Sequence, residues 1–334
     1  MKLNWSRNSP DGRRPVGGAR TLGARSLGAP ATETLSRHFE LPPDQQPAAE
    51  NWVNHGERTP RAARRASSVV LLRDGTRGVE TYLGYRRGHS PLGTIAFPGG
   101  SEGNDDDANV AWFGPTPGQW ADKLGILDHR EARARIVCAA RELFEETGVL
   151  LAGGDELSVL EDCSSNEWME LRQAVAEEDI SFSELLNGRG LGLRTDLLRP
   201  LARWVSPDFA HRRFDTWYFA AAMPVRQQAR LLEGKGTWSA WKSAADVLED
   251  RGTTALGDEV DHQETVGLTL SQATVPAVEV ILEKIATTRG TIAYLAHRRE
   301  LKTFHPQLVS AGGQFVLEVS VSTASEGGIC WRSR

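Results

Sequence analysis

Arg141-Glu142-Leu143-Phe144-Glu145-Glu146-Thr147-Gly148-Val149 is the stretch on which the reading of this chain turns. Wound as an α-helix at about 100° per residue with Glu142 as origin, Glu145 falls at about −60° and Glu146 at about +40°. Ile136, Val137, Ala140, Leu143 and Phe144 lie between about 100° and 220°, so one face is apolar and the other a dense carboxylate patch. The pattern predicts a helix over 129–147, with Asp128 and Glu131 at capping-box spacing at its start and Gly148 as its stop. Carboxylates this close repel one another, and only Arg141 stands next to them. One reading is a solvated acidic face. The other is a site for a divalent cation, because carboxylate oxygens are hard donors that suit Mg²⁺ or Mn²⁺, ions that keep waters and take further ligands from substrate phosphates.

Upstream, Ser68-Val69-Val70-Leu71-Leu72 is β-prone, Asp74-Gly75 supplies a turn, and Glu80 to Tyr85 reads as the second strand of a hairpin. Thr94-Ile95-Ala96-Phe97 is a short strand stopped by Pro98-Gly99-Gly100, and a polar stretch with Gly, Pro and Trp covers 101–127. Downstream, Val149-Leu150-Leu151 starts a strand, and 156–192 suggests helical segments. Leu201 to Val205 and Phe214 to Ala220 read as strands. Helices are expected near 244–248 and over 271–287, with strand-like, turn-rich sequence to the end and no internal repeat.

The chain has 334 residues, which implies one or two domains, and 40% hydrophobic residues with 33 glycines imply that part of it lies outside a packed core. No apolar run approaches the roughly 20 residues of a membrane-spanning helix. A net charge of −5 excludes a uniformly basic nucleic-acid binder. Cys138, Cys163 and Cys330 are too few and scattered for a disulfide framework or zinc knuckle, so a reducing, cytoplasmic setting is expected. Residues 1–65 are rich in Arg, Gly and Pro without a sustained apolar period, and a disordered basic tail is expected there; a secretory, mitochondrial or twin-arginine leader fits poorly. The catalytic domain is then expected over 66–334.

Phe97-Pro98-Gly99-Gly100 followed by Arg141-Glu142-Leu143-x-Glu145-Glu146-x-Gly148-Val149 resembles the signature of the Nudix hydrolases: Gly, five residues, Glu, seven residues, then Arg-Glu-aliphatic-x-Glu-Glu-x-Gly-aliphatic. The resemblance implies an α/β fold, a Nudix α/β/α sandwich around a mixed β-sheet, here with an insertion in the box at about 101–135 and extra C-terminal helices. Two departures stand out. The gap between Gly100 and Arg141 is far longer than in the standard box, and the earlier glutamate of the pattern would fall at Arg133. Glu131 or one of Asp105, Asp106 and Asp107 is a candidate substitute, although the Asp run by itself reads as a solvated loop. The interrupted box, Cys138-Ala139-Ala140, Leu150-Leu151, Arg203-Trp204-Val205-Ser206-Pro207 and Arg212-Arg213-Phe214-Asp215-Thr216 resemble the coenzyme A diphosphatase-like branch, including its peroxisomal members. Arg332-Ser333-Arg334 is not a peroxisomal tripeptide.

The activity so implied is metal-dependent hydrolysis of a nucleoside diphosphate linked to another moiety, with coenzyme A or acyl-coenzyme A first and ADP-ribose, NAD(H) or dinucleotides as alternatives. A non-catalytic nucleotide-sensing or RNA-binding module is the alternative of another class. Glu142, Glu145 and Glu146, with a backbone carbonyl near Gly99 or Gly100, would hold Mg²⁺ or Mn²⁺, Glu145 or Glu146 would act as base, and Arg141 would orient the glutamates. Arg86 and Arg87, with Gly99 and Gly100, are the candidates for binding substrate, since guanidinium groups suit phosphates. Arg212 and Arg213 are further phosphate candidates, Glu233 a candidate downstream acid, and Trp112, Trp120, Trp204, Trp217, Trp238 and Trp241 read as core or as stacking partners for an adenine. Cys138 lacks a basic partner and is not expected to be a nucleophile. The expected partner is a small-molecule diphosphate, with a homodimer implied by the family and neither membrane nor nucleic acid.

Overall fold

The structure, a computed structural model, describes residues 34–55, 59–86, 94–232 and 236–322. In chain order, β1 (Thr34–Glu40) and α1 (Gln46–Asn54) precede a hairpin of β2 (Arg64–Gly75) and β3 (Gly78–Tyr85). Short strands β4 (Ile95–Ala96), β5 (Gly99–Ser101) and β6 (Ala111–Phe113) lead through α2 (Pro117–Leu124) to α3 (His129–Thr147). Then come β7 (Ala152–Gly153), α4 (Asn166–Ala176), α5 (Phe182–Gly188), β8 (Gly192–Arg194), β9 (Arg199–Val205) and β10 (Phe214–Ala222). They are followed by β11 (Ser239–Ser243), α6 (Ala244–Glu249), α7 (Ala255–Val260), α8 (Leu270–Ala273), α9 (Pro276–Ala286), α10 (Thr291–Ala296), β12 (Thr303–Phe304), β13 (Gln307–Ala311) and β14 (Gln314–Ser322).

Eight strands make a mixed sheet in the order β11-β3-β2-β10-β9-β12, with β4 added to β3 and β5 to β2. β10 runs parallel to β2 and antiparallel to β9. Because successive side chains of a strand point to opposite faces, β2 and β10 supply two cores at once. Val69, Leu71, Trp217 and Phe219 face Trp120 of α2 and Ile136, Ala139 and Leu143 of α3. Val70, Leu72, Tyr218 and Ala220 face the other way, toward Val278, Ile281 and Ile285 of α9. Ala66 to Leu72 are all buried, as expected of a central strand covered on both sides. The result is an α/β/α sandwich around a mixed sheet.

α3 is buried on more than its sheet-facing side. Val137, Ala140 and Phe144 form a second stripe that packs on Val175 of α4 and Phe182 and Leu185 of α5. The apolar face read from the sequence is therefore divided between two cores, and the charged residues are confined to what remains. Asp128 caps the helix, its Oδ1 accepting from the Arg130 backbone N–H at 2.8 Å, and Gly148 ends it in the left-handed conformation at φ 75°. The expected capping box does not close, because the Glu131 carboxylate pairs with Arg65 at 2.8 Å and Arg135 at 3.5 Å instead.

Within the polar stretch at 101–127, α2, capped by Thr116 and Gln119 in a capping box, buries Trp120 edge-on against Phe219 at 6.1 Å, and α3 spans His129–Thr147 as its period predicts. One expectation changes. The tail expected over 1–65 gives way to folded chain at residues 34–55. Phe39, Leu41 and Ala49 share the core of Leu72, Leu83 and Ile281, β1 joins β14 and β13 in a separate three-stranded sheet, and Arg37 pairs with Glu279 and Glu283 of α9. Composition misses this because these few apolar residues find their partners far along the chain. Residues 1–33 lie outside the described residues. Leu35–Val321 clusters as one compact unit. Among the described residues no helix is long and apolar enough to cross a membrane. Phe39→Ala is expected to destabilise the fold by about 3–5 kcal/mol, as for other buried aromatic truncations. A urea unfolding free energy within about 1 kcal/mol of wild type would show that β1 does not share the core.

Candidate functional site

The charged stripe of α3 is organised around one guanidinium. Arg141 Nη1 donates to Glu142 Oε1 at 3.0 Å and to Glu145 Oε1, one turn on, at 2.8 Å. Its other edge is held by the loop after β5: Nε and Nη2 donate to the two oxygens of Asp106 at 2.8 and 2.9 Å, and Nη2 also to the Ser101 carbonyl at 2.8 Å. Asp106 is 2% exposed. The adjacent guanidinium, Arg86 at the end of β3, donates to Glu146 Oε2 at 2.7 Å and to the Phe97 carbonyl at 3.1 Å. The Gly99 N–H donates to the same Glu146 oxygen at 3.0 Å. Arg172 of α4 reaches the backbone carbonyl of Glu145 at 3.0 Å, and burial lowers its pKa to about 10.

The Phe-Pro-Gly-Gly segment comes this close because Gly99 and Gly100 lack side chains. A Cβ on Gly100 would stand 2.4 Å from Glu142 Oε1, and one on Gly99 would stand 2.5 Å from the Ser67 carbonyl. Ser68 fixes the approach, its hydroxyl donating to the Pro98 carbonyl at 2.9 Å while β5 pairs with β2. Beside Glu146 lies a cleft whose walls include Tyr82, Tyr85, Arg86, Pro98 and Ser239. The Tyr85 hydroxyl meets His262 at 2.6 Å and Glu264 at 2.7 Å, both from the segment between α7 and α8.

Burial governs the electrostatics. Glu142 is pushed up from 4.5 to about 8, first by desolvation, with Arg141 opposing and the charges of Glu146 and Glu145 adding to the rise. Arg141 is raised further above its already high value, its pairs with Asp106 and Glu142 outweighing the cost of burial. Asp106, Glu142, Glu145 and Glu146 thus face the guanidinium groups of Arg141 and Arg86. Among the described residues no three His, Cys, Asp or Glu side chains are grouped to hold a metal by themselves.

The structure brings Arg86, Gly99, Gly100, Arg141, Glu142, Glu145 and Glu146 together. Arg87 and Glu233 lie outside the described residues. Arg213 is engaged by Asp208 and the carbonyls of Ser206 and Arg61, and Arg212 is exposed. Arg133 turns to Asn109 at 2.9 Å and lies over the Trp112 ring at 5.8 Å. Of the tryptophans, Trp120, Trp204 and Trp217 are buried in the cores, while half-buried Trp241 meets Tyr82 edge-on at 5.5 Å. The Cys138 thiol is fully buried, donates to the Gly100 carbonyl at 3.7 Å, and is pushed well up by desolvation, which removes it as a nucleophile. Asp106 is the residue the sequence reading misplaced. The signal lay in the spacing: counted from Gly100, the pattern of Gly, five residues and an acid lands on Asp106. The solvated-loop reading fails for this residue, whereas Asp105 is exposed and Asp107 pairs with exposed Arg130.

No family model matches the sequence. No curated protein matches it either. Among solved structures, a NUDIX hydrolase from Alicyclobacillus acidocaldarius superposes with a TM-score of 0.54 at 21% identity, over 71% of this chain and 96% of that one. The fold is the Nudix fold. The NUDIX domain of Shewanella oneidensis NrtR, complexed with ADP ribose, matches at a TM-score of 0.30 and 15% identity over 60% of this chain and 86% of its own. A C. elegans Ap4A hydrolase matches at 0.29 and 12% identity over 60% and 93%. These two scores are too low to bear on the site. Within the Nudix fold seen here, the glutamate helix packs under the sheet, and the glycine strand β5 runs beside it.

The raised Glu142 makes a prediction about the metal-free protein. An acid whose folded pKa lies above its unfolded value loses stability as pH rises between the two, here from 4.5 to about 8. Glu142→Gln removes that loss. Its stability relative to wild type should therefore increase by at least about 1 kcal/mol between pH 5 and pH 8, read from chemical denaturation in chelator. A constant difference across that range would show that Glu142 titrates normally.

Proposed function

We propose that this chain is a metal-dependent hydrolase that cleaves a nucleoside diphosphate linked to another moiety. The observation that carries the reading is the carboxylate stripe of α3, which opens at Glu146 and Arg86 onto a cleft. The donor set fits a hard divalent cation, Mg²⁺ or Mn²⁺: its ligating side chains offer carboxylate oxygens, and burial together with the neighbouring Glu146 and Glu145 raises Glu142. Glu142, Glu145 and Glu146 would hold the ion, with waters and the oxygens of a bound diphosphate completing its shell. Bound there, it supplies Lewis acidity at the phosphoryl oxygens and makes water a better nucleophile.

The protein's own groups have distinct tasks in this reading. Arg86, on the cleft wall, lays a planar guanidinium against phosphate oxygens. Arg141 fixes the rotamers of Glu142 and Glu145 from the side away from substrate. The Gly99 N–H and Arg86 both hold Glu146 Oε2, so the orientation of this carboxylate is set before substrate arrives. Glu146 alone of the three lines the cleft, which favours it over Glu145 as the base that takes a proton from the attacking water. Tyr82 and Tyr85 offer the part of the substrate beyond the diphosphate an aromatic wall carrying hydroxyls.

For substrate, the branch resemblance places coenzyme A and acyl-coenzyme A first, ahead of ADP-ribose, NAD(H) and dinucleoside polyphosphates. A panel of these compounds with Mg²⁺ and with Mn²⁺, products identified by mass, tests the ranking. Release of 3',5'-ADP with 4'-phosphopantetheine supports it, and brisk cleavage of ADP-ribose without them refutes it. Glu146→Gln keeps an acceptor for Gly99 and Arg86 but removes the base, so kcat should fall by at least about 100-fold at unchanged thermal midpoint. Wild-type turnover in that variant overturns the assignment.

A further inference from the structure

We propose that Arg172, well outside the glutamate motif, is a positioning residue that fixes the last turn of α3, and with it Glu145 and Glu146, against the wall of the cleft. The inference rests on the hydrolase reading above and adds a group from α4, in the tract between β7 and β8. Arg172 is 1% exposed. Its Nε donates to the Glu145 carbonyl at 3.0 Å and its Nη2 to the Arg230 carbonyl at 2.9 Å. The Arg230 N–H in turn donates to the Thr147 carbonyl at 2.8 Å. One guanidinium thus closes a ring of hydrogen bonds between the end of the glutamate helix and the segment that brings Leu231 to the cleft wall beside Glu146 and Thr147.

The last four carbonyls of an α-helix find no partner within it, so the final turn keeps its shape only where other groups supply donors. α3 ends at Thr147, which puts Glu145 and Glu146 in that turn. The Gly148 N–H closes on the Phe144 carbonyl at 2.7 Å, and Arg172 and Arg230 supply the donors for Glu145 and Thr147. A positive charge suits the place, because the C-terminus carries the negative end of the helix dipole. With a pKa of about 10, Arg172 keeps that charge at neutral pH. Gly148 admits the guanidinium: a Cβ there would stand 3.1 Å from Arg172 Nη1. Filling space does not require an arginine, whose charge is costly to desolvate. Val175, three residues on, fills the same interface with apolar surface, in the core of Val137, Ala140 and Phe144. What Arg172 adds is a rigid fork that holds two carbonyls at a fixed separation, which a single ammonium cannot do.

The test uses the full chain, with Mn²⁺ binding followed by electron paramagnetic resonance of the free ion and steady-state kinetics on a diphosphate that wild type cleaves. All measurements are made well below the thermal midpoint of every variant, so the folded fraction does not enter. Arg172→Met keeps bulk and loses both donors. It should weaken Mn²⁺ binding and lower kcat at saturating Mn²⁺, each by about 10-fold or more, with KM for substrate within about 3-fold. Arg172→Lys keeps the charge but not the fork, and should lose Mn²⁺ affinity and kcat in the same direction. Val175→Ala is the control for packing: its thermal midpoint should fall while Mn²⁺ affinity and kcat stay within about 2-fold of wild type. A folded Arg172→Met protein with wild-type Mn²⁺ affinity and kcat overturns the inference, as do equal losses in Val175→Ala. If Arg172→Met does not fold, Arg172→Lys decides alone, and wild-type Mn²⁺ affinity and kcat in it are the overturning result. A wild-type chain that binds no Mn²⁺ and cleaves none of the diphosphates defeats the hydrolase reading and this inference with it. Wild-type turnover with an unaffected Arg172→Met defeats only this inference.

Discussion

Carboxylates removed from water must be met by positive charge or they cease to be charged, and α3 removes several at once. The helix meets this constraint with two of its own arginines. Near its start, Arg135, 0% exposed, pairs with Glu102 at 2.9 Å and Asp215 at 3.0 Å and donates to the Ala66 carbonyl. Two turns on, Arg141 joins Asp106, Glu142 and Glu145. Both arginines also grip the same short segment, through Glu102 in one case and through Ser101 and Asp106 in the other. The loop that leaves β5 is thus bound to the helix by charge near its start and by Val110, in the core of Val137, Ala140 and Phe144, near its end, and the glutamates and the glycine strand are fixed relative to each other as a consequence.

The fold supplies the rest of that precision. Sheet on one side and α4 with α5 on another leave α3 only a narrow stripe for polar groups, so its glutamates cannot spread apart. β5 hydrogen-bonds to β2 and presents Gly99 and Gly100, whose missing side chains let backbone reach carboxylate distance. Arg86 comes from the end of β3, one hairpin away, and the cleft opens where β3, the helix and the segments around Leu231 and Ser239 meet. A rigid two-sided core thus carries a site whose polar groups come from three separate parts of the chain.

Much of this was legible residue by residue. The β2–β3 hairpin shows in its alternating apolar residues and in Asp74-Gly75, the glutamate helix in its 3.6-residue period and in Gly148, and the β9–β10 pair in Trp204 and Trp217. What escaped has a common cause. Phe39 and Ala49 look like isolated apolar residues in a basic segment because their partners lie on α9, more than 200 positions away. Trp120 read as part of a polar insertion because its partner Phe219 is on β10. Asp106 looked like its exposed neighbour Asp105 because the long gap before Arg141 hides that it stands where the pattern, counted from Gly100, has its first acid.

By itself, then, the sequence determined the glutamate helix, the tight Phe97-Pro98-Gly99-Gly100 strand and the hairpin beside them. Those features are written in local spacing: a helical period, two glycines and a proline, a turn dipeptide. Only the tertiary structure decided which groups surround the glutamates. Whether Arg86 meets Glu146, whether Arg141 divides itself between Asp106 and two glutamates, and how far Glu142 is lifted from 4.5 depend on burial and on contacts between distant segments. Charge interactions strengthen as water is excluded, and water is excluded only once the layers close over the helix.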